Sequence, residues 1–315
     1  MLKQFIIVLL FLFFLVGCTN SDNVPLSLNN PFIGGDTGLS VEFQGLRDVF
    51  DGGRDPFDIV IKLNNKGETS VPKDKVKVRL SGFNPAEFGK LEEQLSKSAD
   101  EELIAMKKDA QGNIQVGNPI FVDFKDLNHF SPIVGSSQSV DIVANICYNY
   151  KTLGVGKLCV RSNILNPEPG GICEINSNKD LFNSGAPVQF GNLVESIGGK
   201  DKISFIFDVR KVGAGYVFEM DSKCDRSTKS KENKVYVKVD TNLPGVVCSG
   251  LTSKGSSAEG FVTLFDDAGV LKRQISCNQQ ISSKNNFEQV ISLSAGYEYD
   301  DFIKSQITVK STGEN

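Results

Sequence analysis

The sequence predicts an all-β protein that consists of two tandem antiparallel β-sandwiches, with a short helical insertion in the first. Three observations support this fold class. Apolar and polar residues alternate with a period of two in several segments, turn-forming residues separate these segments, and the second half of the chain repeats the segments of the first half in the same order. Alternation with one apolar face is typical of an antiparallel sheet, because parallel strands are covered on both faces.

The ends of the two halves carry the longest match of this repeat. Segment 148–162 aligns without a gap on segment 297–311, 149 positions later, and a Tyr-x-Tyr motif opens both segments. Three further blocks match in the same order: 43–46 with 190–193, 57–67 with 203–213, and 75–80 with 234–239. A repeat of this length indicates duplication of a whole domain and not a solenoid unit.

Each matching block alternates as a half-buried strand does. Val76, Val78 and Leu80 fall on one face, and the charged residues between them fall on the other. The same alternation begins again at Ile203 and at Ile307 in the second half. Several such strands separated by turn-rich spacers indicate a β-sandwich in each half.

These patterns divide the chain into five segments: a signal peptide (1–17), a flexible tether (18–36), a first sandwich domain (37–163), a linker (164–186) and a second sandwich domain (187–312). Asn, Ser, Pro and Gly dominate the tether and the linker, and this composition cannot bury a core. Within 85–110, the apolar residues Phe88, Leu91, Leu95 and Ala99 recur at helical spacing. This spacing predicts one or two short amphipathic helices over the edge of the first sandwich.

The N-terminal segment has the features of an export signal. Lys3 precedes an apolar run from Phe5 to Leu15, shorter than the ~20 residues that a helix needs to cross a bilayer. The run ends in Leu-Val-Gly-Cys18, which resembles the lipobox of prokaryotic lipoproteins. The resemblance implies cleavage before Cys18, a diacylglycerol on its sulfur, and a lipid-anchored extracytoplasmic location at the cell surface or in the periplasm. An uncleaved N-terminal anchor and an ordinary secreted protein are the alternatives.

Composition argues against several classes of function. The net charge of −4 is spread along the chain, whereas nucleic-acid binding needs clustered Lys and Arg. Trp is absent, which disfavours the flat aromatic platforms of many carbohydrate sites. His129 is the only histidine, and no Gly-x-Ser-x-Gly, P-loop, dinucleotide or Cys-x-x-Cys motif occurs. We therefore expect no catalytic residues, no cofactor, no zinc site and no nucleic-acid partner.

The cysteines other than Cys18 are expected to form disulfides. Six remain when Cys18 is set aside, and an even number in an oxidising compartment indicates up to three bonds. The first pair would join two strands across a hairpin that turns near Leu153, and another would bracket the strand that starts at Gly260. The expected pairs are Cys147–Cys159, Cys173–Cys224 and Cys248–Cys277.

An acidic segment offers possible calcium ligands. Asp48, Asp51, Asp55 and Asp58 surround two glycines in a loop before the second predicted strand. Calcium takes six or more oxygen ligands, and surface loops often supply them. The spacing is not that of an EF-hand, and Arg54 lies among the four carboxylates. A solvated loop without a metal is therefore the preferred interpretation.

The strand endings resemble a known family. Asn-Asn-Lys-Gly at 64–67 and Lys-Val-Gly at 211–213 each close an alternating strand on a glycine-containing turn. This arrangement resembles the immunoglobulin-like, CARDB-type adhesion modules of archaeal and bacterial surface proteins. The Tyr-x-Tyr motif before the last strand is similar to the tyrosine corner of immunoglobulin-like domains. The resemblance covers both halves and implies two tandem immunoglobulin-like domains.

Two hypotheses of function follow. The leading one is a non-enzymatic, lipid-anchored surface protein in adhesion, binding or envelope architecture, attached to the membrane through Cys18 and binding an unknown surface protein or glycan. The alternative is a periplasmic-type lipoprotein that acts as a ligand-binding or assembly factor for a protein complex. An exposed apolar patch on the 85–110 insertion would favour the second hypothesis. A deep interdomain cleft where Asp, Lys and Ser converge would instead favour an enzyme.

Overall fold

The protein has the predicted fold class. The computed structural model describes residues 30–165 and 171–313, where regular structure consists of β-strands and single-turn 3-10 helices. The strands form several antiparallel sheets, as expected for β-sandwich packing.

Strands of the first half begin soon after the described chain starts. They are β1 (Leu39–Gln44), β2 (Val49–Phe50), β3 (Phe57–Asn65), β4 (Val76–Ser81), β5 (Ser96–Ser98), β6 (Lys107–Lys108), β7 (Ile114–Gln115), β8 (Ile120–Leu127) and β9 (Ser137–Val160). Single-turn 3-10 helices in this half are Lys73–Lys75, Pro85–Phe88 and Glu92–Leu95.

The remaining strands include two in the connecting segment. They are β10 (Ser177–Asn178), β11 (Leu181–Asn183), β12 (Val188–Gly199), β13 (Lys202–Lys211), β14 (Tyr216–Phe218), β15 (Lys234–Asp240), β16 (Val246–Cys248), β17 (Thr252–Lys254), β18 (Ser257–Thr263), β19 (Phe265–Asp267), β20 (Val270–Gln280) and β21 (Phe287–Lys310). One further 3-10 turn covers Lys229–Lys231.

One large sheet runs through both halves. Its main path has the order β17-β18-β15-β21-β9-β4-β5, and three further strands make ten: β2 and β14 pair with β21, and β11 pairs with β9. The first half adds a small sheet of order β1-β3-β8, and the second half adds the corresponding β12-β13-β20 with β10, β16 and β19. Buried residues of both halves form a single hydrophobic cluster.

The two longest strands join the halves. β9 and β21 pair antiparallel along all 24 residues. Asn149 lies opposite Glu298, and these residues also occupy equivalent positions of the repeat, 149 apart. The pairing therefore relates the two halves by an approximate two-fold axis that passes between Asn149 and Glu298.

Each long strand crosses from its own half into the other. The middle of β9 pairs with β4, whereas its end pairs with β11, and Phe190 and Leu193 of β12 lie over Gly154 and Gly156. In the same way, β21 first pairs with β15 and then, at Val309, with β2 of the first half. Each half is thus completed by a strand end that belongs to the other half.

Buried tyrosines lie on the inner side of the large sheet near the two-fold axis; they are Tyr148, Tyr150, Tyr297 and Tyr299. The Tyr148 hydroxyl accepts a hydrogen bond from Leu39 N at 3.2 Å. The Tyr297 hydroxyl accepts one from Val188 N at 3.3 Å. Val188 takes the place in β12 that Leu39 takes in β1, since it pairs with Lys211 and Leu39 pairs with the repeat equivalent Asn65. Burial raises the pKa of all four hydroxyls, so they remain neutral donors and acceptors.

The glycines in the turns that follow β3 and β13 provide space for two of these hydroxyls. A Cβ on Gly67 would lie 2.0 Å from Tyr150 Oη, and a Cβ on Gly213 would lie 2.3 Å from Tyr299 Oη. Any larger residue would therefore displace the tyrosine or the turn. The glycine of the strand-ending pattern has a packing role in both halves.

The predicted helices of the 85–110 insertion are wrong. Asn84 accepts a hydrogen bond from Ala86 N and starts a 3-10 turn, but Gly89 ends it in the left-handed conformation at φ 66°. A second single turn follows, and the chain then enters β5. The apolar spacing instead reflects inward packing of Phe88 and Leu95, since both are buried.

The connecting segment 164–186 is tied to the fold where it is described. β10 pairs with β12, and β11 pairs with the end of β9. Ser184 N and Ala186 N donate hydrogen bonds to the carbonyl oxygens of Leu153 and Gly35. These contacts place the segment against both halves of the chain.

The signal peptide, Cys18 and most of the tether lie outside the described residues, as do residues 166–170 of the connecting segment. Within the described ranges, no helix is long and apolar enough to span a membrane.

Candidate binding cleft

A cleft opens on the outer face of the large sheet, beside the two-fold axis. Asn145 and Cys147 of β9 and Asp300 of β21 form its floor, and its volume is about 480 Å³. Lys77 and Arg79 of β4 form one wall. They point outward because they alternate with buried valines along this strand. The loop after β14 forms the opposite wall, so both halves of the chain build the cleft.

The wall loop is a feature of the second half alone. The offset between the repeats rises from 146 at the block 203–213 to 159 at the block 234–239, so the second copy carries additional residues between them. Asp221, Lys223 and Cys224 within this insertion have positive φ angles of 61°, 59° and 50°. These tight turns bring the loop back over the outer face of the sheet.

A buried carboxylate holds the loop in place. Glu298 accepts hydrogen bonds from Ser222 Oγ at 2.8 Å and from Cys224 N at 2.9 Å. From the first half, Lys75 forms an ion pair of 2.8 Å with Asp221. Hydrogen bonds to a charged group are stronger than those between neutral groups, so Glu298 anchors the loop beside the two-fold axis.

A disulfide joins the loop to the floor of the cleft. Cys147 bonds Cys224, and their Cα atoms lie 6.0 Å apart. The predicted pair Cys147–Cys159 is wrong, because β9 runs straight through Leu153, where the sequence predicts a turn. The ~12 residues of strand between those two cysteines span about 40 Å, far beyond the reach of a disulfide.

The other two disulfides lie in the second half and the connecting segment. The predicted pair Cys173–Cys224 is also wrong, because Cys173 bonds Cys159 with a Cα separation of 5.6 Å. The predicted pair Cys248–Cys277 is present, and these residues lie opposite one another in β16 and β20 with Cα atoms 4.0 Å apart.

Positive charge dominates the cleft. Arg226 forms an ion pair of 2.7 Å with Asp300 and stacks on the Tyr216 ring at 4.3 Å. Burial nevertheless raises the pKa of Asp300, and the Arg226 hydrogen bond only partly offsets this. Lys77, Arg79 and Lys223 also line the cleft, and none of the three forms an ion pair or side-chain hydrogen bond with a described residue.

The polar groups of the cleft do not form a catalytic pair. Ser227 Oγ donates to Asp225 Oδ1 at 2.6 Å, and the Asp225 carboxylate also accepts from Thr228 Oγ1 at 2.9 Å. Asp, Lys and Ser residues do converge here, but among the described residues no lysine is hydrogen-bonded to a serine hydroxyl of the lining. A serine–lysine nucleophilic pair would require such a hydrogen bond.

One set of possible metal ligands lies at the cleft. The sulfurs of Cys147 and Cys224 and a carboxylate oxygen of Glu298 all lie within 4.8 Å of one another. The two sulfurs are bonded to each other, whereas a cysteine binds metal as a thiolate. The intact disulfide therefore removes these sulfurs as ligands.

The four calcium candidates do not come together. Each carboxylate faces its own donors: Lys310 and Thr308 N for Asp48, Ile133 N and Thr312 for Asp51, Arg47 and Phe50 N for Asp55, and Asp126 N for Asp58. Hydrogen bonds from Ile133 N and Thr312 N lower the pKa of Asp51. In the structure these aspartates fasten the first half to the end of β21 and to neighbouring loops.

Reasoning from the sequence did not select the residues of the cleft. The Lys-x-Lys-x-Arg alternation at 75–79 does identify an exposed basic strand face. The insertion that contains Cys224 is also visible in the repeat alignment. No local signal, however, places that loop opposite that strand, because the β9–β21 pairing brings them together.

The functional interpretation of this protein depends on the geometry of the cleft. No family model matches the sequence, and no curated protein matches it. The resemblance to CARDB-type modules therefore stays a prediction from short motifs, and the cleft is the feature on which a functional proposal can be built.

Proposed function

We propose that this protein is a non-enzymatic, lipid-anchored surface protein that binds its ligand in the cleft between the two repeats. The observation that carries the proposal is the group of Lys77, Arg79 and Lys223, which face one concavity without partners among the described residues. A concave site lined by charges of one sign raises the local concentration of oppositely charged ligands.

The rigidity of the cleft supports a binding role. Its floor belongs to the longest strand pair of the protein, and its movable wall is fixed by Glu298 and by the Cys147–Cys224 disulfide. A site that is already ordered loses less conformational entropy when a ligand binds. The loop and strand therefore form a preorganised site and not a chance contact of two surfaces.

The proposed location combines two lines of support. Three disulfides are typical of proteins in an oxidising, extracytoplasmic compartment. The lipobox-like sequence that ends at Cys18 and the polar tether to residue 36 supply the proposed anchor and spacer. Together they support the proposal that the cleft lies outside the cytoplasm, at a membrane surface.

The anchor has a direct test. In Cys18→Ser the proposed acceptor sulfur is lost, so the protein is expected to leave the membrane fraction and appear in the aqueous fraction when cells are lysed and centrifuged. Thr19→Ser changes the adjacent residue and is expected to stay with the membrane. If Cys18→Ser remains membrane-bound, the N-terminal segment itself holds the protein and lipid anchoring is wrong.

The binding role is tested on the native envelope. We expect the full chain, purified in detergent with disulfides intact, to bind isolated envelope preparations saturably. The double variant Lys77→Gln/Arg79→Gln is expected to bind at least about tenfold more weakly if each cation contributes at least ~1 kcal/mol. Both side chains lie on an exposed strand face, so the fold is expected to persist. Equal binding of variant and parent would show that the cleft is not the site.

The alternative, an assembly factor that presents the 85–110 insertion, receives less support. Phe88, Leu95 and Leu103 are buried in the core. Leu91 and Ile104 are the large apolar side chains of the insertion that are exposed. Two isolated side chains fall short of the extended apolar patch that marks a protein interface.

A further inference from the structure

We propose that the ligand of the cleft is an acidic polysaccharide chain, recognised through its sugar carboxylates and hydroxyl groups. This inference rests on the proposed function, because it names the ligand class of the same cleft. Three properties of the lining support it: the unneutralised cations, the hydrogen-bonding groups between them, and a continuation of the positive charge along the edge of the first sandwich.

The cations fit carboxylate groups. Arg79 offers a planar fork of N–H donors that can bind a carboxylate through two parallel hydrogen bonds, and Lys77 and Lys223 add point charges beside it. Asp300 forms its direct ion pair with Arg226 and attracts Arg79 only through space, without an ion pair to it. Asp225 is held by hydrogen bonds within its own loop. A negatively charged ligand therefore meets three available cations.

The remaining lining residues fit sugar hydroxyls. Ser96, Asn145 and Ser227 provide groups that both donate and accept hydrogen bonds. A sugar hydroxyl needs partners of this dual kind. Ser96 and Asn145 lie opposite Arg79 on the two strands that flank β4, so one acidic sugar could contact both types of group at once.

The same lining disfavours other polyanions. Among the described residues no aromatic ring lines the cleft, so it offers neither the stacking surface on which proteins bind single-stranded nucleic acids nor a flat platform for a neutral sugar, and recognition depends on its polar groups. The described part of the chain also contributes no apolar side chain to the lining, apart from the disulfide sulfurs. Protein partners usually insert apolar or aromatic anchors into such pockets, and an acidic peptide would find no site for them here.

The positive charge continues beyond the cleft. A small pocket of about 70 Å³ shares Arg79 with the cleft and shares Leu95 with another pocket of about 220 Å³. Lys90, Lys97 and Lys125 line the latter, and Glu92 supplies one carboxylate at the pocket between. Cations therefore recur from Arg79 of β4 to Lys97 of β5 and Lys125 of β8, and Lys97 Nζ also donates a hydrogen bond of 2.6 Å to the Asp123 carbonyl oxygen. This spread suits a chain of acidic sugars better than a single acidic sugar.

The test uses the full chain, in detergent with intact disulfides, and fluorescently labelled oligomers of galacturonic acid and of sialic acid. Fluorescence anisotropy is expected to show binding of at least one acidic oligomer, weaker binding at higher ionic strength, and no binding of a neutral maltose oligomer. Arg79→Gln and Lys77→Gln are each expected to weaken binding about tenfold, the loss of one charged hydrogen bond.

A matched control comes from the repeat itself. Lys238 of β15 occupies the position equivalent to Arg79, on the outer face of the second half, and does not line the cleft. Lys238→Gln is therefore expected to leave the affinity unchanged. Lys125→Gln removes a cation of the distal pocket, so it is expected to weaken binding of the oligomer while leaving binding of the acidic monosaccharide unchanged.

Several outcomes would overturn this ligand class. If neither acidic oligomer binds, or if the maltose oligomer binds equally well, the cleft does not recognise acidic sugars. If oligothymidylate or polyglutamate displaces the acidic oligomer at equal concentration, the site recognises charge alone. Saturable envelope binding that still depends on Lys77 and Arg79 would then leave the proposed function intact and exclude only the acidic polysaccharide.

Discussion

A fragment of residues 37–163, the first of the two predicted domains, is expected to remain unfolded when produced alone. In the intact chain its strand β9 pairs over its full length with β21. The end of β21 also pairs with β2, and Thr312 N donates a hydrogen bond to the buried Asp51. Without these partners, the edge of β9 and the apolar face behind it are open to water, and a half-covered sheet is not independently stable.

Amide proton spectra and urea unfolding measure this directly. We expect the fragment to give a poorly dispersed spectrum and no cooperative transition, and the full chain to give both a dispersed spectrum and a single transition. Adding a fragment of residues 171–313 is expected to restore a dispersed spectrum by reconstituting the shared sheet. A fragment 37–163 that unfolds cooperatively by itself would show that each half is an autonomous domain.

The second large effect concerns the disulfide at the cleft. We expect the double variant Cys147→Ser/Cys224→Ser to lower the free energy of unfolding in urea. The bond joins residues 77 positions apart. Closing a loop of that length reduces the entropy of the unfolded chain by an amount equivalent to about 4.5 kcal/mol. The variant is also expected to bind the envelope more weakly, because the wall loop loses its covalent attachment to β9 and is then held by Glu298 and by the ion pairs Lys75–Asp221 and Arg226–Asp300.

The matched control is the shorter disulfide. Cys159→Ser/Cys173→Ser removes a disulfide between residues 14 positions apart. For a loop of this length the entropy of loop closure corresponds to a loss of about 3 kcal/mol in the free energy of unfolding. This bond lies away from the cleft lining, so envelope binding is expected to be retained. The role assigned to Cys147–Cys224 would be contradicted if Cys159→Ser/Cys173→Ser lowered the free energy of unfolding more than Cys147→Ser/Cys224→Ser does. It would also be contradicted if both double variants weakened envelope binding equally.

Local patterns predict the strands well. Alternation of apolar and charged residues identifies β4, β13 and the ends of β9 and β21, because burial on one face of a sheet imposes a period of two. The same kind of reasoning is wrong for the 85–110 insertion. Helical spacing there arises from buried side chains on successive 3-10 turns, and Gly89 ends the first turn before an α-helix can form.

The cysteine pairs show where local reasoning ends. Cys248–Cys277 is predictable because both residues belong to neighbouring strands of one half. The other two bonds depend on the length of β9, and a glycine-containing segment around Leu153 looks like a turn when it is considered alone. The segment stays extended because β21 and β11 pair with it on its two sides. Only long-range hydrogen bonding decides between a strand and a hairpin at this point.

The sequence by itself determined the all-β class, the internal repeat, the exposed basic face at 75–79 and the insertion that carries Cys224. These features are local, since each is set by alternation, spacing or turn composition within a few residues. The tertiary structure alone decided that the repeats share one sheet, that Cys147 meets Cys224, and that cations of both halves line one cleft. The physical reason is that strand partners are chosen by the burial of whole faces across the molecule, and residues far apart in sequence then become neighbours.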